Sequence, residues 1–473
     1  MVGNTLLTTG MFMDSLIYSN IASNMAEGIG SFWHPTLSEG LMPEFYGHPP
    51  LVMGLMSIAY RCLGSAVWVT RLYSMIVFVL TGLLIVRLWR RIGFDYRSGW
   101  LPLLGWLLIP AVSQSATETL LEGTMALFVL ASVICMTHTT SRPLSQCLWH
   151  LLAGVMLFGA FLCKGFTGLY PLALPGIIWL TSILFRGNQP VGLCNKNIWV
   201  ALRNTIVTGM AMALCYLASI RLMPEMAAYM DNYYAIQVMD GIKSVPVTNR
   251  AFIISCFLER TAIVWVLFVL MLIVGMVRRK KQPQQQSSQL YWGTFCTFML
   301  LALAGVLPIT ISPKQRSFYI LTTYPFVAIA VAAVIHTPVE QWMNGLSKRV
   351  SVVLTMLSVV LAIAAVGVNA AYAGKPGRDA EMQQEVMCMV SHLEPGERVG
   401  FPERMHEEYS LQNYFYRDAR IVMIPIEEND TVQQGMEQMP QHFITDGASM
   451  GFLAPYYQEI NINTIQYKLF QRL

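Results

Sequence analysis

The sequence predicts an α-helical, multi-pass membrane protein with amphipathic helices at one membrane face and a small C-terminal soluble α/β domain. Three observations carry this reading. Of 473 residues, 55% are hydrophobic and only 12% are charged, where a soluble domain is about 25% charged. The mean hydropathy is +0.49. Long apolar runs recur as far as Tyr372, and beyond it charged residues become frequent. So few charges cannot cover a soluble fold of this length. The net charge of +4 is too small to point to a nucleic-acid partner.

A spanning helix needs about 20 apolar residues. About ten segments approach this: Val67–Leu88, Trp100–Ser115, Leu121–Met136, Leu148–Leu162, Phe166–Leu184, Ile198–Ile220, Thr261–Val277, Tyr291–Ile311, Phe318–His336 and Val350–Tyr372. Basic residues orient them. Arg87, Arg90, Arg91 and Arg97 follow the first span. Arg186, Lys196 and Arg203 lie between the fifth and sixth. Arg278, Arg279, Lys280 and Lys281 follow the seventh, and Lys348 and Arg349 precede the tenth. With alternating spans all four clusters share one side, which is read as the cytoplasm. Gln282–Gln289 is then a polar, mobile cytoplasmic loop.

The opposite side receives residues 1–66, the short turns near 115–120, 163–165 and 312–317, the long loop 221–260, and residues 373–473. The chain therefore divides into an extracytoplasmic N-terminal segment (1–66), a transmembrane bundle (67–372) and an extracytoplasmic soluble domain (373–473). The chain opens with no basic segment followed by an apolar core. Residues 1–66 need a preceding span to reach that side, so a first spanning helix is expected upstream of Met1. The nine cysteines are scattered without a CxxC pair, as small apolar residues would be.

Chemistry gathers on that outer side. In Phe12–Gly28, helical spacing puts Asp14, Tyr18 and Ala22 on one stripe and Ile17, Ile21 and Met25 on the next, with Gly28 as a stop. This describes an amphipathic helix along the membrane face. Asp14 also reads as an ordinary first-turn carboxylate favoured by the helix dipole. Next comes Pro43-Glu44-Phe-Tyr-Gly47-His48-Pro49-Pro50, where the prolines hold an extended backbone. A second amphipathic stretch, Leu51–Leu63, ends at Gly64. Glu118 and Glu122 lie one turn apart at the start of the third span. Lys164-Gly165 interrupts an apolar run, where an unpaired lysine costs about 3 kcal/mol at a helix centre. Lys314, Arg316 and Tyr319 occupy a short outer link, against the positive-inside bias. The long loop adds Tyr229, Asp231, Tyr233, Tyr234, Gln237, Asp240, Lys243 and Arg250, residue types that suit sugar stacking or an interfacial belt.

The order of these pieces resembles a known family. An acidic residue after a first span, Tyr18 four residues on, an Ala-Glu-Gly end, a double-proline box and Val69-Thr-Arg-Leu-Tyr-Ser74 are similar to the GT-C glycosyltransferases. The likeness is to glycosyltransferase family 39, the protein O-mannosyltransferases, and to the related lipid A aminoarabinose transferase. It spans roughly residues 10–370. It implies a glycosyltransferase that moves a sugar from a polyprenyl-phosphate donor to a lipid, glycan or protein acceptor at the outer face of an inner (plasma) membrane, with inversion.

The resemblance also implies roles. Asp14 matches the family's catalytic carboxylate, and Glu122 its second acidic residue. Lys164 matches a Lys-Gly of the family. Lys314 and Arg316, with Tyr319, match its basic link. His48 stands where the family often has lysine, and Gly47 where it often has an acid. Lys164, Lys314, Arg316 and His48 are the expected donor-phosphate ligands. Tyr18, Glu44, Tyr319 and Gln237 are the expected substrate contacts. Some relatives use a divalent metal, and the sequence offers no clean ligand set for one. The rival reading is a transporter or flippase of lipid-linked substrates, which predicts repeated halves and midplane polar residues. Here the polar groups cluster at one face.

Overall fold

The computed structural model describes residues 7–140, 142–185, 190–239, 249–281, 291–312, 314–427, 439–446 and 455–473. Asp240, Lys243 and the loop Gln282–Gln289 lie outside them. The chain forms two compact units.

One unit comprises residues 46–52 and 72–366, and it holds nearly all of the apolar length. Among the described residues, seven stretches are long and apolar enough to cross a membrane: Val67–Arg91, Pro143–Leu184, Ile198–Leu222, Phe252–Gly275, Trp292–Ile311, Ser317–Asn344 and Lys348–Ala371. The expected ten reduce to seven for local reasons. Pro110 holds Ile109 extended and splits the second segment into Trp100–Leu107 and Pro110–Ser115. The third, Leu121–Met136, has 16 residues, about 24 Å of helix. The fourth and fifth follow each other directly and count as one run of 42 residues, although the chain turns between them.

That run is a hairpin. The helix Pro143–Lys164 stops at Gly165, whose φ of +73° is easily reached only by glycine. A tight helical turn, Gly165–Ala173, carries the chain into Leu174–Leu184. Gly168 comes to rest against the backbone of Ala160. A continuing helix would hold residues eight apart at roughly 12 Å, so the chain has doubled back at Lys164. Two helices differ in surroundings. Ser317–Asn344 is largely buried within the protein, whereas no residue of Lys348–Ala371 is.

The second unit comprises residues 3–45, 53–71 and 367–473. Its sheet has five strands among the described residues: β1 (Arg398–Pro402), β2 (Val422–Ile426), β3 (His442–Thr445), β4 (Tyr457–Glu459) and β5 (Lys468–Arg472). Their order is β2-β1-β3-β5-β4. The pairs β1–β2 and β1–β3 are parallel, and β3–β5 and β4–β5 antiparallel. Helices Ala380–Val390 and Tyr409–Ala419 accompany the sheet. Val399, Phe401, Tyr414, Phe415 and Leu469 form its core together with Met11 and Leu16 from the start of the chain.

The helix Met13–Glu27 belongs to this unit. It ends where the sequence suggested, at Gly28 with φ +83°. Its burial is continuous from Ser15 to Met25, more than a one-faced helix needs. The polar positions explain this. Asn20 donates to the Asn413 carbonyl and side-chain oxygens at 3.0 and 2.9 Å. Asn24 accepts from Tyr416 and Arg420, each at 2.9 Å. Arg420 also pairs with Glu27. Buried amides satisfied in this way fix one register. The second short helix, Leu51–Leu63, ends at Gly64 with φ +85°.

Candidate active site

Polar chemistry in the membrane unit converges on Lys164. The turn at Gly165 leaves Lys164 as the last residue of its helix. Glu122 lies in the first turn of Leu121–Met136. Their side chains form an ion pair at 5% and 1% exposure. Neither charge would survive such burial alone, since isolated buried ions cost several kcal/mol each. The Lys164 ammonium also lies 4.0 Å from the ring centroid of Tyr319 and 5.1 Å from that of Phe318. A desolvated cation–π contact is worth about 2 kcal/mol. One carboxylate and two aromatic faces thus hold one cation in place.

The double-proline box reaches the same place. His48 is held well below the usual histidine range, first by loss of water and then by the positive fields of Lys164 and Lys314. Its imidazole is therefore neutral near pH 7, able to donate from one nitrogen and accept at the other. The Tyr229 hydroxyl donates to the His48 carbonyl at 2.6 Å, and the Tyr46 and Tyr229 rings meet at 5.3 Å. Burial, with Tyr233 and Tyr46 adding to it, holds the Tyr229 phenol well above its usual range, so it stays a donor. A side chain at Gly165 would strike the Tyr233 hydroxyl. Glycine is needed there for space as well as for φ.

The link that carries the remaining cations is tied down by Gln315. Its Oε1 accepts from the Ile253 amide at 3.0 Å, and its Nε2 reaches the carbonyls of Thr310 and Ser312, each at 3.3 Å. Gln315 is buried while Lys314 and Arg316 on either side are exposed. Beside Glu122 on its helix, a cavity of about 30 Å³ is lined by Tyr73, Ser74, Glu118, Thr119 and Thr124. Tyr73 hydrogen-bonds Thr124 at 2.9 Å and Ser74 bonds Thr119 at 3.0 Å.

Known proteins share parts of this arrangement. Residues 12–220 match the family model for dolichyl-phosphate-mannose-protein mannosyltransferase. The crystal structure of ArnT from Cupriavidus metallidurans in the apo state superposes with a TM-score of 0.68 at 16% identity, covering 100% of this chain and 96% of that one. Over residues 12–220 the chain is therefore similar to this mannosyltransferase family, and its fold is that of ArnT. The structure of the same ArnT bound to undecaprenyl phosphate gives a TM-score of 0.68 at 15% identity, covering 99% of this chain and 95% of that one. The oligosaccharyltransferase of Archaeoglobus fulgidus gives 0.49 at 13% identity, covering 96% of this chain and 68% of that one. Among curated proteins none matches the sequence.

Within this fold the residues singled out from sequence fall into two groups. Glu122, Lys164, His48, Lys314 and Tyr319 are brought together in the membrane unit by the ion pair, the ring contact and the shared field described above. Arg316 shares the Gln315-anchored link, and its carbonyl accepts from the Tyr319 amide at 3.1 Å. Gln237 lies half-buried in the turn Tyr234–Met239. Asp14, Tyr18 and Glu44 belong to the other unit. Asp14 lies in the first turn of its helix. Tyr18 is 5% exposed and meets Phe45 edge-on at 6.2 Å. Glu44 is exposed.

Sequence reasoning missed Gln315, Phe318 and Tyr46. A single amide between two cations, Lys314-Gln-Arg316, was the available signal for Gln315. The box Val69-Thr-Arg-Leu-Tyr-Ser74 also has more to do than mark a likeness. Thr70 bonds Tyr60, and Arg71, 3% exposed, donates to the Gly10 carbonyl. Among the described residues, no group of three or more His, Cys, Asp or Glu side chains is placed to hold a metal ion.

Proposed function

We propose that this chain is a GT-C membrane glycosyltransferase that moves a sugar from a polyprenyl-phosphate donor to a lipid, glycan or protein acceptor, with inversion, at the extracytoplasmic face of the membrane. The observation that carries the reading is the buried Lys164–Glu122 pair, beneath Tyr319 and beside His48 and Lys314. The ArnT relative was solved with undecaprenyl phosphate, which supports the donor class. A membrane-embedded cation next to apolar helices suits a ligand with a lipid tail and a phosphate.

Negative charge grows on the donor phosphate as the glycosidic bond breaks. Lys164 has three N–H donors, and one engages Glu122. The others are assigned to the phosphate, where preorganised cations stabilise the developing charge. Glu122 keeps Lys164 aimed while the site is empty. Neutral His48 donates a hydrogen bond without adding repulsion. Lys314 and Arg316 draw the anion in. Phosphate leaves readily, so the leaving group needs no general acid. Asp14 is assigned the proton of an acceptor hydroxyl. One displacement then inverts the anomeric centre. If the acceptor is itself a phosphate, as for the lipid A aminoarabinose transferases, the base contributes less. Tyr18, Glu44 and Gln237 are assigned to sugar or acceptor contacts.

The test is transfer by purified protein in vesicles, from a panel of labelled polyprenyl-phosphate sugars to lipid A, glycan or protein acceptors. Product with an inverted anomeric centre is expected. Lys164→Ala should lose donor binding. Asp14→Asn should keep donor binding and lose about a hundredfold or more in turnover. Wild-type turnover by Asp14→Asn removes the base assignment. Absence of transfer from every donor removes the donor class.

A further inference from the structure

The helix Pro143–Lys164 has a second polar end. At its Pro143 end the membrane unit encloses a cavity of about 280 Å³. His150 lies 14 residues before Lys164, roughly 21 Å away along the axis at 1.5 Å per residue. This cavity is therefore distinct from the Lys164 site. Its polar lining includes Thr140, Gln146, His150, Asn195, Arg203 and Asn204, with no aspartate or glutamate among the described lining residues.

Two features of that lining call for a ligand. Arg203 makes no ion pair with any described residue. Its Nε and Nη2 donate to the Asn204 side-chain oxygen at 3.3 and 3.0 Å, so a neutral amide stands where a counter-charge would. His150 is 1% exposed. Its Nδ1 lies 3.0 Å from the Thr208 hydroxyl oxygen. That hydroxyl donates its one hydrogen to the Asn204 carbonyl at 2.8 Å. Thr208 can then only accept, so the ring hydrogen of neutral His150 sits on Nδ1. Nε2 is left a buried lone pair with no hydrogen-bond partner. Leaving such an acceptor unmade is costly. Exposed Arg142 and Lys196, next in sequence to the lining residues Pro143 and Asn195, add positive field.

A group that satisfies both features must carry negative charge and also donate a hydrogen bond. A singly protonated phosphate monoester does both. We propose that this cavity binds a protonated phosphate group, free or as a monoester, with a charged oxygen on Arg203 and the P–OH donating to Nε2 of His150. A water occupies about 30 Å³, so the space admits the phosphate with waters around it. Two sources share this chemistry: free inorganic phosphate, and the headgroup of a lipid monoester such as phosphatidic acid.

The test uses the full-length protein in nanodiscs of phosphatidylcholine, with inorganic phosphate added or phosphatidic acid included. Binding is read by isotherm and by thermal unfolding. Stabilisation by inorganic phosphate supports the site with a soluble ligand. Stabilisation by phosphatidic acid alone supports it with a lipid. No response to either overturns it. Sulfate, which has no proton to donate at neutral pH, should bind about tenfold more weakly than phosphate. Arg203→Gln should lose about tenfold in affinity, one charge-assisted contact, and Arg203→Lys should recover part of it. His150→Asn keeps a donor facing Thr208 but removes Nε2, and it should abolish the preference for phosphate over sulfate. Unchanged affinity in Arg203→Gln, or an intact preference in His150→Asn, overturns the proposal. Should Arg203→Gln not fold, the phosphate and sulfate comparison on wild type and His150→Asn decides.

Discussion

The two ends of the helix Pro143–Lys164 hold positive charge in opposite ways, buried at one and half-buried at the other. At one end Lys164 meets Glu122 and two aromatic rings. At the other Arg203 meets an amide, and His150 keeps an unpartnered nitrogen. Both are polar sites in an apolar unit, where a lone charge is expensive. The Lys164 end is neutral in sum and held from several sides, so it is preorganised before any ligand arrives. The Arg203 end keeps a net charge and an unmet acceptor, so a ligand completes it. A cation by itself does not tell these cases apart; its counter-charge does.

The strongest way to break the contrast is to remove that counter-charge. Glu122→Ala should leave Lys164 buried and unpaired, costing about 3–5 kcal/mol of stability, read as a lowered unfolding midpoint in detergent. The double variant Glu122→Ala/Lys164→Ala should regain part of that loss. A midpoint for Glu122→Ala equal to wild type would show that the pair is not structural.

Next in size is the anchor of the cationic link. Gln315→Ala abandons the Ile253 amide and several carbonyls, about 1–3 kcal/mol. It should raise donor KM more than it lowers kcat, because it disturbs where Lys314 and Arg316 stand and leaves Lys164 alone. A pure kcat defect would contradict this.

The converse change gives Arg203 what Lys164 already has. Asn204→Asp places a carboxylate where the amide oxygen now accepts from Arg203. The phosphate response of that cavity should fall by about tenfold or more as like charges meet, measured by the same isotherm. Undiminished binding would mean that Arg203 is not the anion's partner.

The smallest effect concerns His48. Its folded pKa is depressed below the usual value of about 6.5. Below that pH the unfolded chain takes up a proton that the folded chain refuses, so stability falls with acidity. Between pH 7.5 and 5.5 the unfolding midpoint of wild type should therefore drop slightly more than that of His48→Gln. A steeper drop in the variant would reverse the assignment.

Much of this was legible one residue at a time. Gly28 and Gly64 ended their helices as read, because a positive φ after an amphipathic run is a local property. Lys164 and Glu122 each stood out as a charge in an apolar context. Their pairing did not, since 42 residues separate them and nothing in spacing links them. His48 looked like an ordinary loop histidine until the fold set two cations near it. Span counting erred at Ile109–Pro110, where one residue's backbone preference overrode the hydropathy of its neighbours, whereas the break read at 163–165 is where the chain turns back.

Composition by itself determined that this chain lives in a membrane, since transfer free energy sums over residues regardless of their arrangement. Local backbone preference determined where several helices stop. Only the tertiary structure decided which charges meet, which stay unmatched, and that Met11 and Leu16 share a core with Val399, Phe401, Tyr414 and Leu469. Those outcomes depend on distance through space, because packing energies fall off within a few ångströms and electrostatic ones weaken as charges separate, and the order of residues along a chain does not state that distance.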